Sequence, residues 1–121
     1  MKRTSTHGLL APLVWLRGVR AVVVASEDDA LVIDAHTHVD VDPDTLAAFG
    51  VSLVRRARLA GVEIGAGAPS VIALEAEEGR LVAAVRDELL VLVLTGEEAH
   101  EGLVRLTAQR VASAFAGEMA R

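Results

Sequence analysis

The pattern of apolar and polar positions is most regular between Asp42 and Gly61, where it predicts a central helix. Asp42 is suited to the N-cap, Pro43 to the first helical position, and Gly61 to the residue that ends a helix. Apolar residues at steps of three and four positions form one stripe: Leu46, Phe49, Leu53, Ala57 and Ala60. A second apolar set widens this stripe beyond the arc that one packing face needs: Ala47, Gly50, Val51 and Val54.

The breadth of this apolar arc predicts two packing partners for the central helix. One is the protein's own sheet, and we expect the other to be a second copy of the chain. The alternative is a helix buried more deeply in a monomer. Arginines edge the arc, and they are either a solvated face or contacts for a protein partner. The expected dimer or partner surface therefore comprises Ala47, Gly50, Val51, Val54, Arg55 and Arg58.

Five apolar segments rich in β-branched residues predict strands, with turn residues between them. They span residues 19–26, 30–37, 69–76, 80–86 and 88–95. Leucines at helical spacing predict a short first helix that ends near Gly18 and is shortened or kinked by Pro12. Thr95 and Glu98 have the spacing of a capping box, which predicts a last helix over residues 96–115.

The predicted order is helix, two strands, helix, three strands, helix. Hairpin connections make the five-stranded sheet mainly antiparallel, and strands that are apolar on both faces need helices on both sides. We therefore expect an α+β fold, a three-layer α/β/α sandwich, formed by a single domain over residues 1–121.

Composition excludes several classes of function. Hydrophobic residues make up 52% of the chain and charged residues 24%, which is typical of a globular protein. A net charge of −5 argues against a general nucleic-acid binder, and the absence of Cys excludes disulfides and thiolate chemistry. The basic and then apolar start, MKRTSTHGLLAPLVWL, is interrupted by Pro12 and lacks a small-residue cleavage site. We interpret it as part of the fold and expect a cytoplasmic protein without a membrane span.

Three segments carry a resemblance to a known domain family. WLRGVRAVVVAS leads from the first helix into the first strand, LAAFGVSLVRRARLAG is the central helix, and SVIALEAEEGRLVAAVRDELLVLVLT is a run of three meandering strands. Over residues 13–115 they resemble the roadblock/dynein-light-chain domain, particularly its small prokaryotic members, which have a profilin-like fold. Residues 27–30 (Glu-Asp-Asp-Ala) stand where that family usually carries an Asp-Gly turn.

The resemblance implies a function as well as a fold. It implies a homodimer that is built through the central helix and the third strand and joins two sheets into one. This adds Val71 and Ala73 to the expected interface. It also implies partnership with small Ras-like GTPases, as a scaffold or an activator that supplies no catalytic groups and needs no cofactor.

The segment VIDAHTHVD, residues 32–40, suggests a different chemistry. His36 and His38 point to the same side of a strand, as metal-ligating pairs do, and the segment resembles the first metal motif of amidohydrolases. Those enzymes take further ligands from later strands of a large barrel, whereas only His100 follows here. A small metal-binding protein or hydrolase centred on His36 and His38 is therefore the alternative prediction, and exposed polar residues at a strand end the preferred one.

Glycines at positions 61, 65 and 67 form a loose glycine-rich segment. A phosphate-binding loop follows a strand and opens a helix, whereas this segment follows a helix and opens a strand. We therefore predict a simple helix-to-strand connection. No serine lies in a Gly-x-Ser-x-Gly context, so the sequence indicates no nucleophile elbow.

Overall fold

A computed structural model describes residues 8–120 of the protein. The helices and strands of this part are, in chain order, α1 (Ala11–Val14), β1 (Val19–Ser26), β2 (Val32–Thr37), α2 (Pro43–Glu63), β3 (Val71–Ala76), β4 (Gly79–Arg86), β5 (Leu89–Thr95) and α3 (Glu101–Met119). The predicted order of elements is confirmed. Among residues 8–120, none of the helices could span a lipid bilayer.

The strands form one five-stranded sheet in the order β2-β1-β5-β4-β3, and every neighbouring pair is antiparallel. Two-residue turns close two of its hairpins, at Glu77–Glu78 and Asp87–Glu88. Asp87 has a φ of 57°, the left-handed conformation that tight hairpins require. The predicted antiparallel meander is therefore confirmed, and β2 and β3 lie at its two edges.

Helices cover both faces of the sheet, as the apolar strands predicted. On one face, α1 and α3 enclose a core that includes Phe115, Val22 and Val91. On the other face, α2 packs on a smaller core that includes Val23 and Leu92. Because successive residues of β1 point to opposite faces, Val22 and Val23 serve different cores, which gives the predicted three-layer sandwich.

The predicted end of the central helix at Gly61 is wrong, because α2 continues to Glu63. Gly61 has another role: its carbonyl accepts hydrogen bonds from the N–H groups of Ala66 (2.8 Å) and Gly67 (3.0 Å). A Cβ at Gly61 would lie 2.0 Å from the Gly67 carbonyl oxygen, so the loop folds back where only glycine fits. The helix ends before Gly65, whose φ of 77° is left-handed.

The start of α2 agrees with the sequence in position but differs in its hydrogen bonds. Asp42 occupies the N-cap with an extended backbone, yet its side chain bonds no backbone N–H group. Instead its Oδ2 accepts a 2.8 Å hydrogen bond from the Thr45 hydroxyl. Pro43 lies at the first helical position, as predicted.

The last helix begins five residues later than predicted, and the Thr95 capping box does not form. Thr95 remains in β5, buried and opposite both Val19 and Arg80. The N-cap is His100, whose Nδ1 accepts a 3.2 Å hydrogen bond from the Leu103 N–H group.

Three other elements are shorter than predicted. Helix α1 ends at Val14 and not near Gly18, whose φ of 85° is incompatible with a helix. Strand β2 begins at Val32, because Ala30 has a φ of 58° and completes the preceding turn. Strand β3 begins at Val71, two residues after Pro69.

Candidate functional site

The two apolar stripes of α2 face in different directions. Its buried residues pack on the sheet between β1 and β5, and they are Ala47, Gly50, Val51 and Val54. A Cβ at Gly50 would lie 2.5 Å from the Leu92 Cδ1 atom, so a side chain at this position would have to displace the buried Leu92 side chain. These four residues therefore hold the helix on its own sheet, and their assignment to an interface with a second chain stays a prediction.

The other stripe is the one that remains uncovered. At about 100° per helical residue, it lies about 110° around α2 from the buried set. Leu46 and Leu53 are half-buried, Phe49 is 48% exposed, and Ile64, just past the helix end, is 78% exposed. The helix thus carries more apolar surface than its own sheet covers, and the uncovered part is the stripe that contains Leu46, Phe49 and Leu53.

Strand β3 continues this uncovered surface at the edge of the sheet. Ile72 packs toward the α2 face, and Leu74, two residues on, is 42% exposed. A groove of about 310 Å³ runs between α2 and β3, lined by apolar side chains of α2 (Leu46 and Phe49), β3 (Leu74), β4 (Leu81) and β5 (Leu94). We call positions 46, 49 and 53 of α2, Ile64 just after the helix, and Ile72 and Leu74 of β3 the α2–β3 surface.

Val71 and Ala73 lie on β3, but their side chains are directed to the α3 face. Val71 packs on the core of that face, and Ala73 shares its side by strand alternation. The Ser70 carbonyl accepts from the Val85 N–H group at 2.9 Å. Since bonding alternates along an antiparallel ladder, Val71, Ala73 and Glu75 direct their backbone groups away from β4. Val71 and Ala73 could thus contribute to an interface through their backbone groups, and their assignment to it stays a prediction.

The two arginines assigned to the expected interface contact the protein's own β1–β2 turn. Arg58 donates two hydrogen bonds to Glu27, from Nε to Oε2 (2.7 Å) and from Nη2 to Oε1 (2.6 Å). Arg55 donates to the backbone carbonyls of Glu27 (3.1 Å) and Asp28 (2.9 Å). The Arg58 hydrogen bonds hold the pKa of Glu27 below its ordinary value and raise the pKa of Arg58. Both side chains therefore tie α2 to the hairpin beneath it.

His36 and His38 meet at the other edge of the sheet, next to Trp15. The imidazole centroids are 4.9 Å apart, and the indole lies 5.9 Å from His38 and 6.3 Å from His36. His38 Nε2 is 3.0 Å from the Val14 carbonyl oxygen. Within residues 8–120, no group of three or more His, Cys, Asp or Glu side chains could hold a metal ion. The geometry therefore gives an aromatic cluster at the end of β2.

Two large apolar residues on the solvent side of α2 were not predicted from the sequence. Leu59 and Val62 are each 70% exposed and lie in neither stripe. Ile72 and Leu74 were likewise not predicted as surface residues, although the alternation of β3 places them on one face. The alternation of residues along β3 could have predicted their exposure, since β3 is the edge strand of the sheet.

No protein-family profile matches the chain, and no curated protein matches its sequence. Solved structures do match. A Roadblock/LC7 domain from Streptomyces avermitilis is 21% identical, with a TM-score of 0.81 over 92% of this chain and 93% of that one. A structure described as MglB with a tetrameric arrangement is 18% identical, with a TM-score of 0.82 over 94% and 87%. Myxococcus xanthus MglB is 14% identical, with a TM-score of 0.82 over 98% and 90%. The chain therefore has the fold of Roadblock/LC7 domains and of MglB.

Proposed function

We propose that the protein is a homodimeric regulatory domain that has no catalytic group of its own and binds a small Ras-like GTPase. One observation carries the dimer: the α2–β3 surface is apolar, partly exposed and continuous with an open strand edge. An apolar helix stripe beside an open strand edge favours association with a second copy of the chain. Strand pairing then satisfies the open backbone groups of β3, and the same contact removes the apolar side chains from water.

The open edge of β3 suits a two-fold partner. Val71, Ala73 and Glu75 direct their N–H and C=O groups outward, so two antiparallel β3 strands could exchange hydrogen bonds centred on Ala73. In that register Glu75 meets Val71 of the second copy, and no like charges oppose each other. On the α2 face, Ile72 of each copy lies opposite Leu74 of the other, beside Phe49 from both helices.

The structures that share the fold support assembly of this kind. One of the structures that share the fold is described as having a tetrameric arrangement. For this chain, burial of Phe49, Leu53 and Leu74 against a second copy would stabilise the dimer by about 1–2 kcal/mol for each half-exposed side chain. Several such side chains on each copy are needed to offset the loss of translational freedom on association.

For the GTPase, we propose the solvent side of the two α2 helices as the docking surface. It carries Leu59 and Val62, two exposed apolar side chains that neither the sheet nor the proposed dimer covers. Arg56, which is exposed, adds positive charge at its margin. The resemblance to roadblock domains supplies the class of partner. The domain would act by binding one nucleotide state of the GTPase better than the other, and so shift its population.

Sedimentation equilibrium of the purified chain tests the dimer. We expect a mass of twice 12.7 kDa at micromolar concentration, and a monomer for Phe49→Asp, which buries a charge in the interface. Leu106→Asp is the matched control, because Leu106 on α3 is 45% exposed, close to the 48% of Phe49. A monomeric wild type, or equal effects of the two variants, would contradict the dimer.

Binding to small Ras-like GTPases from the same source tests the partner. We expect association with one nucleotide state, measured by titration calorimetry, and weaker binding for Leu59→Asp with the dimer intact. The matched control is again Leu106→Asp. Absence of binding to all of these GTPases in both nucleotide states would contradict the partner and leave the dimer standing.

A further inference from the structure

The two edges of the sheet differ in how their outward backbone groups are satisfied. At the β2 edge a side chain occupies a backbone donor, whereas at the β3 edge the backbone groups are open toward a new strand. We propose that the Asp34 carboxylate closes the β2 edge to strand addition, so that the sheet is extended only at β3. Asp34 thereby fixes the end of any assembly of this protein.

The hydrogen-bonding register shows which groups of β2 point outward. The His38 N–H group donates to the Arg20 carbonyl oxygen at 2.7 Å, and these residues continue the register that places His36 opposite Val22. Since bonding alternates along the ladder, Ala35 and Thr37 direct their backbone groups away from β1. An added strand would need the Ala35 N–H group as a donor.

Asp34 occupies that donor. Its Oδ1 accepts a 2.8 Å hydrogen bond from the Ala35 N–H group. An added strand would have to displace this bond and bring its own carbonyl oxygen against a carboxylate. Both effects disfavour pairing, in the way that charged side chains protect exposed strand edges. A bulge between Val24 and Ala25 in the β1–β2 register further distorts the edge.

Among residues 8–120, no side chain gives the centre of the β3 edge such protection. Ala73 has a short side chain with no acceptor. The nearest carboxylate on the strand, Glu75, is drawn toward Arg80, with an Oε2–Nη2 distance of 3.5 Å. The difference between the edges therefore depends on which carboxylate can reach an outward N–H group.

A second open edge would change the type of assembly. A molecule with one open edge forms at most a closed pair, whereas a molecule with two open edges forms chains that do not close. Removing the Asp34 acceptor should therefore produce species larger than those of the wild type. This expectation rests on the proposed pairing through β3, and the wild-type mass measured in the same experiment separates a failure of that pairing from a failure of the role of Asp34.

The test uses Asp34→Ala, Asp34→Asn and the double variant Asp34→Ala with Ala35→Pro. In sedimentation velocity at rising concentration, we expect Asp34→Ala to exceed the wild-type weight-average mass at least about twofold, as open-ended pairing requires. Asp34→Asn should match the wild type, because its amide oxygen can still accept from Ala35. Proline removes the outward donor and is tolerated at a sheet edge, so the double variant should return to the wild-type mass.

Larger species that persist in the double variant would show non-specific aggregation and overturn the proposal, as would a wild-type mass for Asp34→Ala. Assembly of Asp34→Asn to the same extent as Asp34→Ala would also overturn it. If Asp34→Ala does not fold, the hydrogen bond from Ala35 to Asp34 can be tested by NMR on the wild type. The temperature coefficient of the Ala35 amide proton should be that of a hydrogen-bonded group, and a solvent-exposed value would overturn the proposal.

Discussion

Arg58 of α2 and Glu27 in the β1–β2 turn form a two-bond ion pair, with N–O distances of 2.7 and 2.6 Å. The Glu27 side chain is 12% exposed and that of Arg58 34%. Paired hydrogen bonds between a guanidinium and a carboxylate are shorter and stronger than neutral ones. The pair therefore fixes α2 on the side of the β1–β2 hairpin and leaves the opposite side of the helix toward β3.

A double-mutant cycle should measure this attachment. Arg58→Ala and Glu27→Gln should each destabilise the protein in urea unfolding, with a coupling free energy of about 1 kcal/mol. Arg105 and Glu101 on α3 are the control pair, since they are 3.8 Å apart and each nearly half exposed. Their coupling should be about 0.3 kcal/mol. Equal coupling in the two pairs would contradict a special role for Arg58.

The same pair predicts how stability depends on pH. Because Arg58 lowers the pKa of Glu27 in the folded protein, folding is stabilised above the ordinary value of 4.5. This contribution should be lost as pH falls below 4.5 and through the lowered folded pKa. Urea unfolding of the wild type and of Arg58→Ala between pH 3 and 6 measures it, with about half-unit steps being sufficient. A difference between the two proteins that does not shrink on acidification would contradict the prediction.

Gly50 should be intolerant of a side chain. A Cβ there would lie 2.5 Å from Leu92 Cδ1, and Leu92 is completely buried, so Gly50→Ala should destabilise the protein by about 1–3 kcal/mol. Gly117 is the matched control, because it lies in α3 with no neighbouring atom within 4 Å of its added Cβ. Gly117→Ala should stabilise by up to about 1 kcal/mol through helix propensity. Thermal unfolding of both variants checks the opposite signs.

Gly61 should matter to the loop that follows α2 and less to the helix. In Gly61→Ala the new Cβ would meet the Gly67 carbonyl oxygen at 2.0 Å, so the loop must move. We expect faster hydrogen exchange at the amides of Ala66 and Gly67, which bond to the Gly61 carbonyl. Exchange at Val54 should be unchanged. Unchanged protection of Ala66 and Gly67 would contradict the packing described for this loop.

The purified protein should not retain stoichiometric zinc. His36 and His38 face the same side of the sheet edge, yet no group of three metal-binding side chains exists within residues 8–120, and a structural zinc site needs four ligands. Elemental analysis of the wild type, with His36→Ala and His38→Ala as controls, checks this. One zinc ion per chain that is lost in both variants would support the alternative metal-binding function.

The order of elements followed from local signals, because each strand is an apolar run bounded by turn residues. Strand β1, for example, spans the predicted residues 19–26, and Asp87 lies in the predicted turn. The orientation of α2 could not be predicted in the same way, since both of its stripes are apolar. Residue size distinguishes the two stripes: Gly50 and Val54 are small and pack on the sheet, whereas the larger Phe49 remains 48% exposed.

The predicted start of α3 was wrong for a different reason. The spacing of Thr95 and Glu98 is a genuine capping signal, but Thr95 lies in two strand ladders, opposite Val19 and Arg80. Continuing β5 therefore prevails over a local cap, and the helix starts only after the chain has left the sheet. A single sequence does not reveal such long-range competition.

Trp15 is the chain's single tryptophan, and the sequence contains no tyrosine. Its indole is 76% exposed and lies beside the two imidazoles at the β2 end of the sheet. Fluorescence excited at the red edge of the indole absorption band therefore comes from Trp15 alone, at the opposite edge of the sheet from β3. The molecule thus carries its own optical reporter, one that should sense contacts formed at β2 and remain silent when two copies join through β3.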